Sequence, residues 1–435
     1  MTERNRVDPS RLAAYDVLKA VRLDDAYANL ALPLVLAEHR LSGRDAAFTT
    51  ELVSGTIRWQ GTYDAIIDAC LTKPRLEAKV RDALRLGVHQ LLAMRVPDHA
   101  AISTSVDLVR ARVGVGPAGL VNAVLRKVSG HDLDGWVRQV APDQGRDPVG
   151  FASIAHSHPR WVVEALDEAL GSPEELPALL AADNAAPRVM LVALPGLATI
   201  EELVAAGGTR GTLSPYAVEL TGGDPSAISA IAHGRAGVQD EGSQLVALEL
   251  AQAELPGRDE RWLDVCAGPG GKAALLASLA AQRGARLLAN ERQQHRARLV
   301  TRGTRATSSG MLGVVTGDGT RPPWREQTFD RVLVDAPCSG LGALRRRPES
   351  RWRRTPADLD ALVPLQTALL GAAITATRPG GVVVYATCSP VLAETTEVVE
   401  AVLGRRSDAT LERSRQLWPH RDGTDAMFIA TIRRG

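Results

Sequence analysis

The second part of the chain alternates strand-like and helical segments, and this alternation limits the possible folds more than any other feature. From about residue 236, short apolar runs are separated by segments whose apolar residues recur at helical spacing. The strand-like runs are RWLDVC, ARLLAN, MLGVVTGD, FDRVLVDA and GGVVVYATC. Strands that alternate with crossover helices form a mostly parallel, doubly wound sheet. We therefore expect residues 236–435 to form one α/β domain that binds its ligands at the carboxyl ends of its strands.

The first part of the chain has few strand-like runs and is predicted to be helical. Segments such as PSRLAAYDVLKAVRL and VRDALRLGVHQLLAM repeat apolar residues at intervals of three and four, which predicts an all-helical domain over residues 1–135. Residues 130–150 lose this spacing and collect Gly, Asp and Pro, which is typical of a linker. Residues 150–235 combine helical patterns with the strand-like RVMLVAL, which predicts a small α/β subdomain between the two larger domains.

Composition and charge exclude several classes of protein. The 435 residues carry a formal net charge of only +1, so any contact with nucleic acid must depend on local clusters of Arg and Lys. The four cysteines form no CxxC pair, and the polar start MTERNRVDPSRLAAYDVL does not resemble a secretory signal. No apolar run approaches the roughly 20 residues of a membrane span, and no His or Cys residues stand at metal-ligand spacing. We expect a cytoplasmic monomer with reduced thiols, without a metal and without a membrane anchor.

A glycine-rich turn, LDVCAGPGGK (263–272), lies between a predicted strand and a helix, where bare backbone N–H groups can approach a ligand. It matches neither the dinucleotide pattern GxGxxG nor the phosphate loop GxxxxGK[ST]. Carboxylates end the next two strands, and such groups can accept hydrogen bonds from ribose hydroxyls. The pattern favours S-adenosylmethionine. The alternative is that Glu291 only begins a helix and Asp318 only caps a turn. The predicted cofactor-binding residues are Cys266, Ala267, Gly268, Pro269, Gly270, Gly271, Lys272, Glu291, Asp318 and Asp335.

Two cysteines occur in similar sequence frames, VDAPCSG (334–340) and YATCSP (385–390). Each follows a strand-like run and each precedes a serine. Free cysteines are most often small buried hydrophobic residues, which is our interpretation of Cys70 and, taken singly, of Cys266. Packing does not explain the shared frames or the Asp that precedes the first cysteine by three residues. Cys338 and Cys388 are therefore predicted to lie in one reaction centre.

These segments resemble a known family. LDVCAGPGGK, FDRVLVDAPCSGLGALRRRPESRW and YATCSP resemble the signature segments of Sun/Fmu-type RNA cytosine-5 methyltransferases, and the start of the chain resembles the NusB-like RNA-binding domain of that family. The resemblance implies a multidomain protein in which an all-α NusB-like domain precedes a Rossmann-like, doubly wound methyltransferase domain. It also implies methyl transfer from S-adenosylmethionine to carbon 5 of a cytosine in 16S ribosomal RNA. The alternatives are the same reaction on transfer RNA, or a non-catalytic RNA-binding or antitermination factor.

The chemistry explains why two thiols are needed. Carbon 5 of cytosine is a poor nucleophile, but a thiolate that adds to carbon 6 turns the ring into an enamine that can accept the methyl group. The proton on carbon 5 must then leave before the sulfur is expelled. By resemblance, Cys388 is the nucleophile, Cys338 assists release and Asp335 hydrogen-bonds the ring near nitrogen 3. The sequence alone does not decide which thiol attacks. Lys272 and the arginines that follow Cys338 are the candidate cations to favour a thiolate.

The cationic run LRRRPESRWRR (344–354) directly follows the first cysteine turn. Arginine can pair with phosphate, and both Arg and Trp can stack on single-stranded bases, although a solvated loop is the ordinary alternative. A thiol can reach carbon 6 only when the target base has left its stack, so a flipped base is implied. The predicted RNA-binding residues are Arg345, Arg346, Arg347, Trp352 and Arg353.

Two further segments bear on the resemblance. GVQDEGSQLVALEL (237–250) resembles the family's segment ahead of the first sheet strand, which implies that Gln239 and Ser243 lie near the methionine end of the cofactor. After the lysine of the glycine-rich turn the family commonly has Thr or Ser, whereas this chain has Ala273. A hydroxyl contact is therefore lost there.

Overall fold

A computed structural model describes residues 7–72 and 75–435, so the first six residues of the predicted helical domain lie outside the described residues. The chain forms two compact units. The first consists of Met1–Ala185 together with Leu344–Arg353, and the second of Ala186–Ala343 together with Arg354–Gly435. The boundaries of these units differ from those of the three predicted domains.

The first unit is helical, as its apolar spacing predicts. Its apolar core contains fully buried side chains from several helices, among them Tyr63, Ile66 and Leu84. The helices are α1 (Pro9–Leu23), α2 (Ala28–Glu38), α3 (Gly43–Arg58), α4 (Gln60–Cys70), α5 (Ala78–Leu92), α6 (Asp98–Arg112), α7 (Ala118–Val128), α8 (Leu133–Val140), α9 (Pro148–Ala155), α10 (Arg160–Leu170), α11 (Leu176–Asn184) and the single turn α17 (Ser350–Arg353).

The predicted linker over 130–150 is wrong, because this stretch contains α8 and the start of α9. The Asp132 side chain caps α8 by accepting a hydrogen bond from the Gly135 N–H at 2.7 Å. Trp136 is buried, and its indole N–H donates to the Val128 carbonyl at 2.8 Å. A helix of eight residues spans about two turns, so it shows too little periodicity to be recognised from sequence.

The second unit begins with a small antiparallel sheet in the strand order β2-β3-β1-β4. Its chain order is strand, helix, strand, strand, helix, strand, the split βαβ arrangement. The elements are β1 (Val189–Ala193), α12 (Ile200–Ala205), β2 (Gly208–Arg210), β3 (Ala217–Leu220), α13 (Ser229–Ala232) and β4 (Ala236–Val238). The preceding helices α9 to α11, predicted as part of the same subdomain, belong to the first unit instead.

A seven-stranded sheet in the order β10-β11-β9-β8-β5-β6-β7 forms the rest of the second unit. The five strands from β9 to β7 in that order are parallel, while β11 and β10 are antiparallel, which confirms the predicted doubly wound sheet. The elements are α14 (Glu241–Gln252), β5 (Arg261–Asp264), α15 (Gly271–Gln282), β6 (Arg286–Glu291), α16 (Gln294–Gly303), β7 (Met311–Thr316), β8 (Phe329–Asp335), α18 (Pro356–Ala376), β9 (Thr377–Thr387), α19 (Thr396–Leu403), β10 (Ala409–Gln416), α20 (Pro419–Asp422) and β11 (Phe428–Arg434).

Helices cover both faces of this sheet. On one face α14 and α15 contribute side chains such as Val246 and Leu275, and on the other α18 contributes Leu370 and Ile374. Helix α18 has 21 residues and is long and apolar enough to cross a membrane, contrary to our expectation that no run approaches this length. One such helix is weak evidence for a membrane span, and the buried side chains of α18 belong to the core of the sheet.

Candidate active site

Carboxylates stand at the carboxyl ends of four neighbouring parallel strands. Asp264 ends β5, Glu291 ends β6, Asp335 ends β8, and Asp318 follows β7 by two residues. The parallel pairing of these strands brings all four ends to one edge of the sheet. Three of the four are residues that the sequence predicts as cofactor ligands. Asp264 was missed, although its position in LDVC directly before the glycine-rich turn was a signal.

The glycine-rich turn joins β5 to α15 at this same edge and contains the predicted cofactor residues from Cys266 to Lys272. Gly270 caps α15 with a φ of 120°, in the region that favours glycine. A β-carbon at Gly268 would overlap the Glu291 carboxylate, so backbone and carboxylate are in direct contact there. The Gly268 carbonyl in turn accepts a hydrogen bond from Arg296 at 2.7 Å.

The acidic groups of this edge differ in protonation and in partners. Burial, followed by the charge of Asp335, raises the pKa of Asp264 to about 8. Its Oδ2 atom is buried and has no hydrogen-bond partner within the described part of the chain. Hydrogen bonds from Thr320 lower the pKa of Asp318. A bare backbone turn, carboxylates at neighbouring strand ends and one unpartnered buried oxygen together fit a nucleoside-bearing cofactor such as S-adenosylmethionine.

The two predicted cysteines lie side by side. Strands β8 and β9 are parallel neighbours, with Asp335 opposite Ala386, so the turns that follow them are adjacent. The Cys338 and Cys388 sulfur atoms are 3.4 Å apart. The Gly342 N–H donates to the Cys388 carbonyl at 2.9 Å, which fixes one turn against the other.

A buried carboxylate supports the first cysteine turn. Glu394 is fully buried and accepts hydrogen bonds from the Ser339 N–H at 2.7 Å and from the Gln366 amide at 3.0 Å. The Ser339 hydroxyl also lies 3.0 Å from the hydroxyl of Ser389, the serine that follows the second cysteine. Glu394 is not among the residues predicted from the sequence, although the repeated Cys-Ser pair was a signal that the serines need a partner.

A lysine and a carboxylate complete the site. Lys272 Nζ lies 2.8 Å from Asp335 Oδ2. Burial acts to lower the pKa of Lys272, but Asp335, and after it Cys388, raise this pKa above its usual value, so the side chain is an ammonium ion. The hydrogen bond with Cys388 is the largest cause of a pKa for Cys338 well above the usual value, and burial and the charges of Cys388 and Glu394 add to it. A cation therefore acts on one sulfur and an anion on the other.

The arginine segment belongs to the first unit. Arg351 is fully buried, and its guanidinium donates hydrogen bonds to the carbonyls of Ser157 at 3.1 Å and Asp183 at 3.2 Å. It donates a further bond to Asn184 Oδ1 at 2.7 Å. These contacts make the segment a part of the helical unit.

Two of the predicted RNA-binding residues are placed otherwise than expected. The Trp352 indole N–H donates to the Ile57 carbonyl at 2.9 Å, and its ring packs against the helical core. The Arg353 guanidinium donates to the Val21 carbonyl at 3.1 Å. Both side chains thus donate to backbone carbonyls of the helical unit, whereas the sequence predicted that they contact a base or a phosphate of RNA. Arginine and Trp donate to backbone carbonyls as readily as to RNA, and sequence alone does not show which acceptor is near.

The first three arginines of the segment differ in exposure. Arg345 is buried, Arg346 is half-buried and Arg347 is exposed. The Arg347 guanidinium lies 5.1 Å from the centroid of the Tyr27 ring, the distance of a cation–π contact. Their contact with RNA stays a prediction, and Arg347 is the most accessible of the three.

Comparisons with known sequences agree in both parts of the chain. The family model "16S rRNA methyltransferase RsmB/F" matches residues 251–433, and the NusB family model matches residues 8–130. A Mycobacterium tuberculosis protein that carries a methyltransferase name is 50% identical over 100% of both chains. The ribosomal RNA small subunit methyltransferase B of Pseudomonas putida is 33% identical, over 97% of this chain and 98% of its own.

Solved structures show the same fold. The crystal structure of PH0851 superimposes with a TM-score of 0.81 at 21% identity and covers 99% of both chains. NSun6 from Pyrococcus horikoshii, crystallised with SFG, superimposes with a TM-score of 0.55 at 18% identity and covers 63% of this chain and 98% of its own.

Among the described residues, no group of three or more His, Cys, Asp or Glu is arranged to hold a metal ion.

Proposed function

The chain belongs to the RsmB/F family of 16S rRNA methyltransferases, and from this premise we propose that it methylates carbon 5 of a cytosine through a covalent bond to Cys388. Membership confirms the predicted order of a NusB-like domain and a Rossmann-like methyltransferase domain. It also makes the protein an S-adenosylmethionine-dependent rRNA methyltransferase. The proposal adds the cytosine carbon, the covalent route, 16S rRNA as substrate of this chain and the cytoplasm as its location. The observation that carries it is the 3.4 Å separation of the two sulfurs.

The charges around the sulfurs support Cys388 as the nucleophile. Cys338 has a pKa raised first by its hydrogen bond with Cys388, so it keeps its proton and donates it towards Cys388. The Lys272 ammonium interacts electrostatically with Cys388. A neighbouring cation and a thiol donor both favour the thiolate form. The arrangement therefore makes Cys388 the sulfur that adds to carbon 6.

The same pair supports Cys338 as the group that receives the proton from carbon 5. S-adenosylmethionine supplies the methyl group as a sulfonium when bound. Once Cys388 is bonded to carbon 6, it no longer carries the charge that raises the pKa of Cys338. The Cys338 thiol, which is half-buried, can then release its proton to water, and burial and Glu394 keep the resulting thiolate basic. This thiolate takes the carbon 5 proton, and the Cys388 sulfur is expelled.

Asp335 is suited to hold the ring during the addition. Its Oδ2 atom is fixed by Lys272 at 2.8 Å, which orients the carboxylate at the end of β8, three residues before Cys338. A carboxyl group that shares a proton with nitrogen 3 neutralises the negative charge that builds up on the ring as carbon 6 is attacked. Lys272 thus serves both the thiolate and the carboxylate.

Two cysteine variants test the proposal. Cys388→Ala should lose methyl transfer to 16S rRNA yet bind S-adenosylmethionine, because only the nucleophile is removed. Cys338→Ala should accumulate a covalent protein–RNA adduct on a denaturing gel, because the carbon 5 proton is not removed. Cys70→Ala, a change at a buried cysteine of the helical unit, is the control and should leave methylation unchanged.

The same preparations identify the substrate. Bisulfite sequencing of 16S rRNA after incubation should show one new 5-methylcytosine. An adduct with Cys338→Ala on transfer RNA alone would change the substrate but keep the mechanism. The absence of any adduct, together with full activity of Cys388→Ala, would overturn the mechanism.

A further inference from the structure

A cavity lies in the second unit, apart from the cysteines. It has a volume of about 600 Å³ and opens between the small antiparallel sheet and the end of α16. Its walls include Val192, Leu194 and Ala274, and also Pro269, Gly270 and Gly271 of the glycine-rich turn, which are among the predicted cofactor-binding residues. Cys338, Cys388 and the carboxylates of the strand ends are not among its lining residues. An apolar cavity of this size is typical of a small-molecule or nucleotide site.

Two arginines at the mouth of this cavity lack acidic partners. Arg302 and Arg305 are exposed and line the cavity where α16 ends. Across residues 7–72 and 75–435, no carboxylate forms an ion pair with either of them. Arg296 on the same helix, by contrast, lies 3.7 Å from Glu291. Unpaired guanidinium groups beside an open cavity are suited to bind phosphate oxygens.

A buried amide lies inside the cavity. Gln239 is 7% exposed and lines the cavity wall. Its Oε1 atom is buried and has no hydrogen-bond partner in the described part of the chain, while Nε2 lies 3.4 Å from Ser243 Oγ. A buried acceptor is costly unless a ligand supplies a donor. The exocyclic amino group of a nucleobase is such a donor.

We propose that this cavity binds one nucleotide of the RNA strand, with its phosphate at Arg302 and Arg305 and its base against Gln239. The identity of the strand as the methylated RNA rests on the proposed function. Gly271 lines the cavity, and the next residue, Lys272, contacts Asp335, so the cavity adjoins the reaction centre through the first turn of α15. A flipped target base requires that its strand be held nearby. The bound nucleotide is therefore a neighbour of the target cytosine.

The phosphate contact is tested with a single-stranded RNA of about twelve nucleotides that contains no cytosine. The affinity of the full chain for this RNA is measured at several salt concentrations. The double variant Arg302→Gln, Arg305→Gln should bind more weakly and reduce the slope of log affinity against log salt by about 0.7, since the two arginines hold one phosphate and each phosphate contact on a single strand contributes about 0.7. The control is Arg405→Gln, an exposed arginine that follows α19 near the opposite edge of the sheet. It should leave the slope unchanged.

The base contact is tested with Gln239→Leu. This variant should bind the same RNA about tenfold more weakly at an unchanged salt slope, because it loses a hydrogen bond to a base but no phosphate contact. Its affinity for S-adenosylmethionine is measured in parallel, because the family resemblance implies that Gln239 lies near the methionine end of the cofactor. In the unchanged protein, 4-thiouridine in the RNA should crosslink to peptides that contain residues 232–239 or 302–306.

Three results would overturn the inference: an unchanged slope in the double variant, crosslinks that lie elsewhere, or a Gln239→Leu protein that loses affinity for S-adenosylmethionine but not for RNA. The last result would assign the cavity to the cofactor site. Because the RNA lacks cytosine, its binding does not depend on Cys388. Methylation that fails with intact binding here would therefore overturn the proposed function alone.

Discussion

Charged side chains have different partners in two neighbouring regions, the cysteine turns and the arginine segment that follows the first of these turns. Around the sulfurs, Lys272 acts on Cys388 while Glu394 acts on Cys338. In the arginine segment, Arg351 donates hydrogen bonds to the neutral oxygens of three backbone carbonyls and one side-chain amide. The first arrangement determines which of two thiols loses its proton. The second only satisfies the hydrogen bonds of a buried cation.

The difference teaches that the role of a charge depends on whether its partner can change state. A thiol can gain or lose a proton near neutral pH, and an added charge nearby changes that equilibrium. A backbone carbonyl has no second state, so a charge beside it contributes only to stability. Substitutions in the first region should therefore change the rate and its pH dependence, and those in the second should change the free energy of unfolding.

Lys272→Met gives the largest expected effect. Met has a side chain of similar length but no ammonium beside Asp335 and Cys388, and a thiolate without a nearby cation forms at higher pH. We expect methyl transfer at neutral pH to fall by about 1,000-fold, the loss typical of an electrostatic group in an active site. In single-turnover experiments at several pH values, the methylation rate of this variant should rise at a higher pH than that of the unchanged protein. Lys272→Arg should recover part of the rate, whereas a lower rate with an unchanged pH profile would leave Lys272 only a structural role.

Arg351→Met tests the second region. The variant removes the donor to the buried carbonyls of Arg58, Ser157 and Asp183 and to the half-buried Asn184 amide oxygen. Unsatisfied buried acceptors cost about 1 kcal/mol or more each. We expect the helical unit to lose about 3 kcal/mol of stability, measured by hydrogen exchange of the α3 and α4 amides. The exposed Arg347→Met is the control and should change this protection little. Undiminished protection in Arg351→Met would show that the buried cation costs as much as its hydrogen bonds contribute.

The sequence predicted the first region well because topology determines it. Parallel strands bring their carboxyl ends to one edge, so DAPC and ATC had to lie together once β8 and β9 were neighbours. The helical character of the first unit followed from apolar spacing in the same way. These features depend on local patterns that repeat along the chain.

The remaining parts depend on contacts between residues distant in sequence. Nothing near Glu394 indicates that it accepts from Ser339, 55 positions earlier. Nothing near Trp352 indicates a hydrogen bond to Ile57, 295 positions earlier. Short helices such as α8 also carry too few turns to show a period. Partners of polar groups are therefore the part of the site that sequence reasoning determines least.

Asp264→Asn tests a further titratable group near the cysteine turns. The Oδ2 atom of Asp264 is buried and has no hydrogen-bond partner among the described residues. Its folded-state pKa of about 8 lies above that of the unfolded chain, so the folded protein keeps a proton that the unfolded chain releases. Stability should therefore fall as the pH rises from about 4 to about 8. The Asn variant should not lose stability in this range. The slope of its free energy of unfolding against pH should therefore be less negative by the equivalent of about one proton. Urea unfolding at several pH values measures the slope, and equal slopes in both proteins would show that Asp264 is ionised when folded.

Arg347→Gln has the smallest expected effect and tests whether any of the arginine segment serves RNA. Its side chain is exposed, unlike that of Arg351, and lies 5.1 Å from the Tyr27 ring centroid. One lost phosphate contact should reduce the salt slope of RNA binding by about 0.7 and weaken affinity less than tenfold. Stability should not change, because no buried acceptor is left without a donor. If RNA binding is also unchanged, the arginine segment only stabilises the helical unit. The charged side chains that act in the reaction then end at the first cysteine turn.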